Sequence, residues 1–459
     1  MDRDRLVRRL RGIVGEPYVL TDPADVVVYE HDALPLTGHL PDAVVLPGST
    51  AEVAEVVRAA SECGVPVIPR GAGTGLAGGA VPEGGGVVVA LTRMNRILSL
   101  DPRHRLAEVE AGVVNADLNA AARPYGLAFA PDPGSQTAST IGGNIATNAG
   151  GAHCLAYGVT THHVLAAEVV LADGRVVWAG SAAADAPGYD LRGLLAGSEG
   201  TLGIVTRAVV RLVRLPEGVR TLLAVFGGVE SASQAVSDII ASGIVPAALE
   251  MLDALTLRIV EEFAHAGYPT DAGAVLLVEV DGLADVLDRL ADQVRSLCLR
   301  HGARQVRTAA SEEERALLWK GRKEAFGALG RVRRGVYLAD VTVPRHRLPE
   351  MMRRVGEIAA RTGVPIANFF HAGDGNLHPN LLYDPRDPRA AAAVARAAEE
   401  IIRAGLELGG TITGEHGVGL DKRAHMRWMY AAPDLEAMRR VRRAWDPRGL
   451  LNPGKVVPE

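Results

Sequence analysis

Cysteine is scarce in this 459-residue sequence, and Cys63, Cys154 and Cys298 lie far apart. That spacing excludes a cysteine metal or redox motif and an iron–sulfur set, and leaves the three as packing residues. Long apolar runs are missing as well. None reaches the roughly 18 residues of a spanning helix, and the N-terminal MDRDRLVRRLRG has no hydrophobic stretch behind its charges as a secretory signal would. A cytoplasmic protein is expected. Lysine occurs only at Lys320, Lys323, Lys422 and Lys455, arginines are scattered, and the formal charge is −5, so there is no basic stripe for nucleic acid. Hydrophobic residues, by contrast, make up 48% of the chain, ample for packed cores, and many of the 52 glycines are clustered. A length about three times a common domain size predicts two or three domains.

The pattern along the chain predicts an N-terminal segment over 1–40 and a first α/β module from 41 to about 216. In that module a strand at 43–46 precedes a helix that opens with the capping-box form Ser49-Thr50-Ala51-Glu52 and stops at Gly64. A buried strand at 65–69 then leads into the densest glycine loop, 70–79. Strands at 87–91 and 107–110, a helix at 115–125 and a hairpin around Asp173-Gly174 follow. From 217 to 440 strands alternate with long arginine- and glutamate-bearing helices, which reads as a second, α+β domain, and 441–459 is a closing tail.

Gly73-x-Gly75-x-x-Gly78 matches the dinucleotide fingerprint, but the fingerprint should open a helix and here Gly78-Gly79-Ala80-Val81-Pro82 follows. The loop therefore reads as a nest whose backbone N–H groups can wrap a pyrophosphate, with Thr74 and Ser135 adding hydroxyl donors. A second small-residue tract, PDPGSQTASTIGGNIATNAGG at 131–151, accompanies it. Two such tracts in one module argue against ordinary surface loops.

These tracts, with Gly197-Ser198-Glu199-Gly200-Thr201-Leu202-Gly203-Ile204, resemble the FAD-binding domain of the vanillyl-alcohol-oxidase flavoprotein superfamily. The resemblance implies an α+β fold class: a two-lobed FAD-binding domain, an α+β cap domain with an antiparallel sheet, and a C-terminal tail returning to the flavin. It implies cofactor contacts by Arg70, Gly71, Ala72, Gly73, Thr74, Gly75 and Leu76 in the first loop. In the second they are Pro133, Gly134, Ser135, Ser139, Gly142, Gly143, Thr147, Asn148 and Gly150, joined by Glu199, Gly200, Ile204 and, in the tail, Asn452. Members that attach FAD covalently through this loop carry a histidine after its paired glycines; here Ala80 stands there, so a noncovalent flavin is expected.

The segment 368–380, NFFHAGDGNLHPN, reads as a hairpin. A two-residue turn at Asp374-Gly375 pairs Gly373 with Asn376 and His371 with His378, whose Cβ atoms would then lie about 5 Å apart on one face, shared by Asn380. Two imidazoles so placed suit one metal ion, although a pair of ordinary buried histidines fits the spacing equally well. Gly414-Glu415-His416-Gly417 adds a carboxylate as a third ligand and a histidine able to act as base. Its glycines let a loop aim both side chains into one cavity.

Together with Trp319-Lys320-Gly321-Arg322-Lys323-Glu324-Ala325-Phe326 and Leu451-Asn452-Pro453-Gly454-Lys455, these tracts resemble the D-2-hydroxyacid dehydrogenase branch of that superfamily, which includes bacterial glycolate oxidase FAD subunits and D-lactate dehydrogenases. The resemblance implies that His371, His378 and Glu415 bind a divalent metal, zinc or alternatively manganese or iron. It implies that Arg322 and Asn380 bind substrate and His416 is the base. The reaction implied is oxidation of glycolate or D-lactate to the 2-oxoacid by hydride transfer to flavin N5. Hydroxyglutarate enzymes carry a threonine where Phe326 stands and a lysine near Leu338, which argues against a large dicarboxylate.

With no nicotinamide fingerprint in its proper context, the electron acceptor is expected to be external: a quinone, a cytochrome or an iron–sulfur partner subunit, in a homodimer or a hetero-complex that can lie at the inner face of the membrane. The competing readings are a D-2-hydroxyglutarate dehydrogenase, a non-redox synthase on the same domain, and a non-catalytic flavin-binding subunit.

Overall fold

The computed structural model of the protein describes residues 3–34, 38–183 and 186–459. Residues 1–2 and 35–37 of the expected N-terminal segment lie outside that range. The chain forms two units, the first from 1–150, 158–215 and 415–459 and the second from 151–157 and 216–414.

In the first unit the helix Thr50–Glu62 begins as its sequence dictates. Ser49 accepts the Glu52 amide at 3.2 Å while Glu52 Oε2 accepts the Gly48 amide at 2.7 Å. Its buried face, Val53, Val56, Val57 and Ala60, shares a core with valines of β1 (Val19–Leu20), β2 (Ala43–Val45), β3 (Val67–Arg70) and β4 (Val87–Ala90). The helix Arg3–Val14 adds Leu6, Leu10 and Val14 to that core. The strand order is β1-β2-β4-β3, with β2 and β3 both parallel to β4. Strands buried on both faces explain the unbroken apolar runs Ala43-Val44-Val45 and Val87-Val88-Val89.

The other lobe of this unit holds β5 (Ile97–Asp101) and β6 (Leu106–Glu110), then, after the short β7 (Leu127–Ala128), β8 (Val164–Val170), β9 (Val176–Gly180) and β10 (Ile204–Arg211). Five of them form an antiparallel sheet in the order β5-β6-β10-β8-β9, with the β8–β9 hairpin at Asp173-Gly174, and β7 pairs with β11 (Val213–Arg214). The tract at 131–151 is not loop throughout. Thr140 caps a helix, Ile141–Thr147, by accepting the Gly143 amide at 3.2 Å, and the helix buries Ile141 and Ile145 in the core of this sheet. Glycine at 142 and 143 obscured that helix in the sequence; its cap and two core side chains outweigh the low helical propensity.

The second unit is an antiparallel sheet of β12 (Gly218–Phe226), β13 (Ala248–Asp253), β14 (Ala274–Gly282), β15 (Gln305–Thr308), β16 (Gly335–Leu338), β17 (Val341–Thr342), β18 (Ile366–His371), β19 (Asn376–Leu377) and β20 (Pro379–Tyr383). Its order is β15-β12-β14-β13-β18-β19-β17, with β20 bridging β18 and β16. The long helix Glu312–Val332, capped by Ser311, buries Leu318, Trp319 and Ala325 with residues of β12, β14 and β18. The heptapeptide 151–157 belongs to this unit because its side chains bind there. His153 stacks on Trp319 with centroids 5.8 Å apart, and Tyr157 donates to Asp281 on β14.

The sequence sets the start of the tail at 441, whereas the chain rejoins the first unit at Glu415. The reason lies in backbone bonding: Leu420 N–H reaches Ala77 O at 2.8 Å, and Val418 N–H reaches Glu199 Oε1 at 2.7 Å.

Candidate functional site

The first unit brings the expected cofactor tracts together. A Cβ at Gly71 would sit 2.5 Å from Thr140 Oγ1, so only glycine lets the first loop approach the capped end of Ile141–Thr147. Gly73, at φ +73°, leaves its Cβ position to the Arg70 guanidinium, which donates to His31 O at 2.9 Å and lies over the Tyr29 ring. Arg70 thus braces the loop through its side chain. Asn148 and Glu199 both adopt positive φ, and Asn148 Oδ1 accepts the Thr161 amide at 2.9 Å. Ser139 Oγ, Asn144 Nδ2 and Asn452 Oδ1 are buried without hydrogen-bond partners among the described residues. Together with the small-residue cradle, these atoms fit a cofactor rich in polar groups. Pro133, Gly134 and Ser135 form a turn in which the Gln136 amide reaches Pro133 O at 2.8 Å. Gly200 presses on Pro69 of β3, and Ile204 begins β10.

Asn452 closes the cradle. Leu451 bridges Val67 in parallel register, the Asn452 amide reaches Val67 O at 2.8 Å, and its Nδ2 donates to Gly79 O and Glu199 O. Two ionisable groups of this region are buried, Glu199 of the expected contacts and Lys455 of the tail motif. Burial pushes the Glu199 carboxyl up to about 7, although Gly419 and Val418 amides oppose the shift. Burial pulls Lys455 down to about 8, opposed by Glu83 and Glu199. Asp32 is likewise raised by burial, and its Oδ1 accepts the Leu34 amide.

In the second unit the hairpin register differs from the one expected. His371 pairs with Asn376, and Ala367 pairs with Asn380, so the turn spans 372–375 and His378 is not directly opposite His371. Asp374 Oδ1 takes the Asn376 amide at 3.0 Å, which builds the wider turn. The register moves by two residues, and because side chains alternate with period two, both histidines stay on one face. Their ring centroids are 5.0 Å apart, and both residues are buried.

Each histidine has a buried carboxylate beside it, and neither acid was singled out from the sequence. Glu250 Oε1 lies 2.7 Å from His371 Nδ1, and Glu250 Oε2 accepts Arg322 Nε at 2.6 Å. Burial alone would raise the Glu250 carboxyl; Arg322 and His371 outweigh it and hold it below the usual range. Asp340 Oδ1 lies 3.7 Å from His378 Nδ1, while Oδ2 accepts Thr413 Oγ1 and the Gly414 amide. It therefore pins the residue immediately before Glu415. A lone acid in an apolar strand, as in Ala-Leu-Glu-Met-Leu, was the available signal, since a buried charge needs a partner.

Arg322, held over Phe369 at 5.0 Å, keeps its terminal Nη donors free of hydrogen bonds among the described residues. Asn380 is fully buried and donates to Ala367 O and His378 O, while its Oδ1 has no partner among the described residues. Leu338 pairs with Asn380 across β16 and β20. Phe326 lies exposed on the helix carrying Arg322. Glu415 and His416 belong to the first unit, in irregular backbone at its re-entry point. The donor set of the second unit, two imidazoles with a buried carboxylate beside each and an orphaned amide oxygen, fits a divalent cation.

The cradle and the fold of the first unit are those of an FAD-binding domain, and the family and full-length matches make the chain an FAD-linked oxidoreductase. The chain belongs to the FAD-linked oxidases: residues 41–180 match the FAD binding domain, and residues 215–456 match "FAD linked oxidases, C-terminal domain". It is 43% identical to the glycolate oxidase subunit GlcD of Escherichia coli (strain K12), over 100% of this chain and 92% of that protein. It is 34% identical to D-lactate dehydrogenase of Anaerostipes hadrus, over 93% of this chain and 92% of that protein. Among solved structures it resembles p-cresol methylhydroxylase with substrate bound, with a TM-score of 0.83, 18% identity, and 98% and 96% of the two chains covered. No helix among the described residues is long and apolar enough to cross a membrane.

Proposed function

We propose that this protein oxidises a small 2-hydroxyacid, glycolate or D-lactate, to the 2-oxoacid, with FAD held noncovalently and a divalent metal held by His371, His378 and Glu415. The observation that carries the reading is the pair of buried histidines on one face, 5.0 Å apart, with His371 tied through Glu250 to Arg322. When bound, FAD supplies the hydride acceptor at N5, and the metal supplies Lewis acidity toward the hydroxyl and carboxylate oxygens of the substrate.

The residues of this chain do the rest. Arg322 offers its Nη donors to the substrate carboxylate and so fixes which C–H is presented. Asn380 Oδ1 accepts a hydrogen bond from the substrate. His416 accepts the hydroxyl proton at a ring nitrogen. Electrons then leave to an external acceptor, a quinone, a cytochrome or an iron–sulfur partner.

The test is anaerobic titration of the yellow protein with glycolate, D-lactate, L-lactate and D-2-hydroxyglutarate, before and after chelation. Bleaching of the flavin by glycolate or D-lactate, abolished by chelator and restored by metal, is the expected result. A flavin reduced by none of them, in a protein that holds no metal, would replace this reading with a non-redox or non-catalytic role.

A further inference from the structure

We infer that Glu250 is a positioning residue that sets two groups at once, the ring of His371 and the guanidinium of Arg322. The inference rests on the proposed metal and substrate roles of those two residues and concerns how one buried side chain prepares both. Glu250 stands opposite His371 in the β13–β18 register and is completely buried. Its two oxygens are divided: Oε1 faces His371 Nδ1 at 2.7 Å and Oε2 takes Arg322 Nε at 2.6 Å.

An ionised carboxylate only accepts hydrogen bonds. Beside it the His371 proton is placed on Nδ1, which leaves the Nε2 lone pair as the ligating atom. The same carboxylate engages Arg322 through Nε, which leaves its Nη donors for a planar anion. One acid thus prepares a metal ligand and a carboxylate receptor and fixes their spacing on the sheet.

An amide of the same shape cannot serve both neighbours. In Glu250→Gln, an NH2 group facing His371 Nδ1 drives the proton onto Nε2, whereas an NH2 group facing Arg322 opposes donor to donor. One side of the pair is lost in either orientation.

The experiment compares wild type and Glu250→Gln as FAD-loaded proteins. Zn2+ affinity is measured by competition with a chromophoric chelator, and kcat and KM are measured for glycolate and D-lactate. Loss of about 10- to 100-fold in Zn2+ affinity, or a KM rise of about tenfold or more at retained flavin content, is expected. Wild-type Zn2+ affinity together with wild-type KM in the variant would overturn the inference. Should the variant fail to fold, 15N spectra of histidine rings in the zinc-free wild type decide, with the His371 signal assigned by its loss in His371→Gln. An Nδ1–H tautomer supports the assignment and an Nε2–H tautomer overturns it. A wild type that binds no Zn2+ yet shows the Nδ1–H tautomer would refute the metal reading while leaving the role of Glu250 supported.

Discussion

The side-chain amide of Asn452 donates to the carbonyl of Gly79 at 2.8 Å, so the end of the chain is fastened to the glycine loop that follows β3. The same nitrogen also serves Glu199 O. Three stretches far apart in sequence therefore share one donor.

Replacing Asn452 with Ala leaves one buried and one half-buried carbonyl without it. A stability loss of about 1–3 kcal/mol is expected, together with faster release of FAD. Thermal unfolding and flavin retention on gel filtration check this. Unchanged values in both would separate the tail from the cradle.

Glu199 and Lys455 give stability a pH signature. A carboxyl raised from 4.5 to about 7 keeps its proton in the folded state, so its contribution falls as pH rises from 4.5 to 7. A lysine lowered from 10.5 to about 8 makes folding less favourable as pH falls from 10.5 to 8. Both costs are greatest between pH 7 and 8. Glu199→Gln keeps an oxygen for the Val418 and Gly419 amides and removes the carboxylate cost, on the order of 3 kcal/mol at pH 8. Its melting temperature should exceed that of wild type at pH 8 and converge with it at pH 4. Parallel pH profiles would refute the shift.

His416→Ala should retain flavin and metal yet slow substrate reduction of the flavin by roughly 10²- to 10⁴-fold. Stopped-flow absorbance at the flavin band reads this directly. Reduction at the wild-type rate would remove His416 as the base.

Glu415→Gln should lose bound metal while keeping a wild-type flavin spectrum. Elemental analysis after dialysis decides. Full metal occupancy in the variant would exclude Glu415 as a ligand.

Leu338 faces Asn380 across the sheet, which makes it the position to alter for a longer substrate. Leu338→Lys combined with Phe326→Thr should raise kcat/KM for D-2-hydroxyglutarate relative to glycolate about tenfold or more, the yield of one charge-assisted hydrogen bond. An unchanged ratio would place the second carboxylate elsewhere.

Local signals carried much of the fold. The cap at Ser49, the Asp173-Gly174 hairpin and the glycine loop after β3 are each encoded within a few residues, and each stands as expected. Signals that depend on distant partners were not legible. The helix Ile141–Thr147 forms because Ile141 and Ile145 find a core, which no window around two glycines reveals. The width of the turn at 372–375 depends on Asp374 accepting the Asn376 amide and on Leu249 O accepting the Gly373 amide. Glu250 and Asp340 went unnoticed because their partners are more than 30 residues away in sequence, and only the sheet brings them together.

The chain passes between its two units at four points, after 150, 157, 215 and 414. No single cut in the coding sequence can therefore release either unit whole. A fragment made to carry only the flavin domain would lack the stretch that supplies Asn452, and one made to carry only the histidine sheet would lack the heptapeptide bound through His153 and Tyr157. Exchange of either unit for another would therefore need junctions at all four crossings.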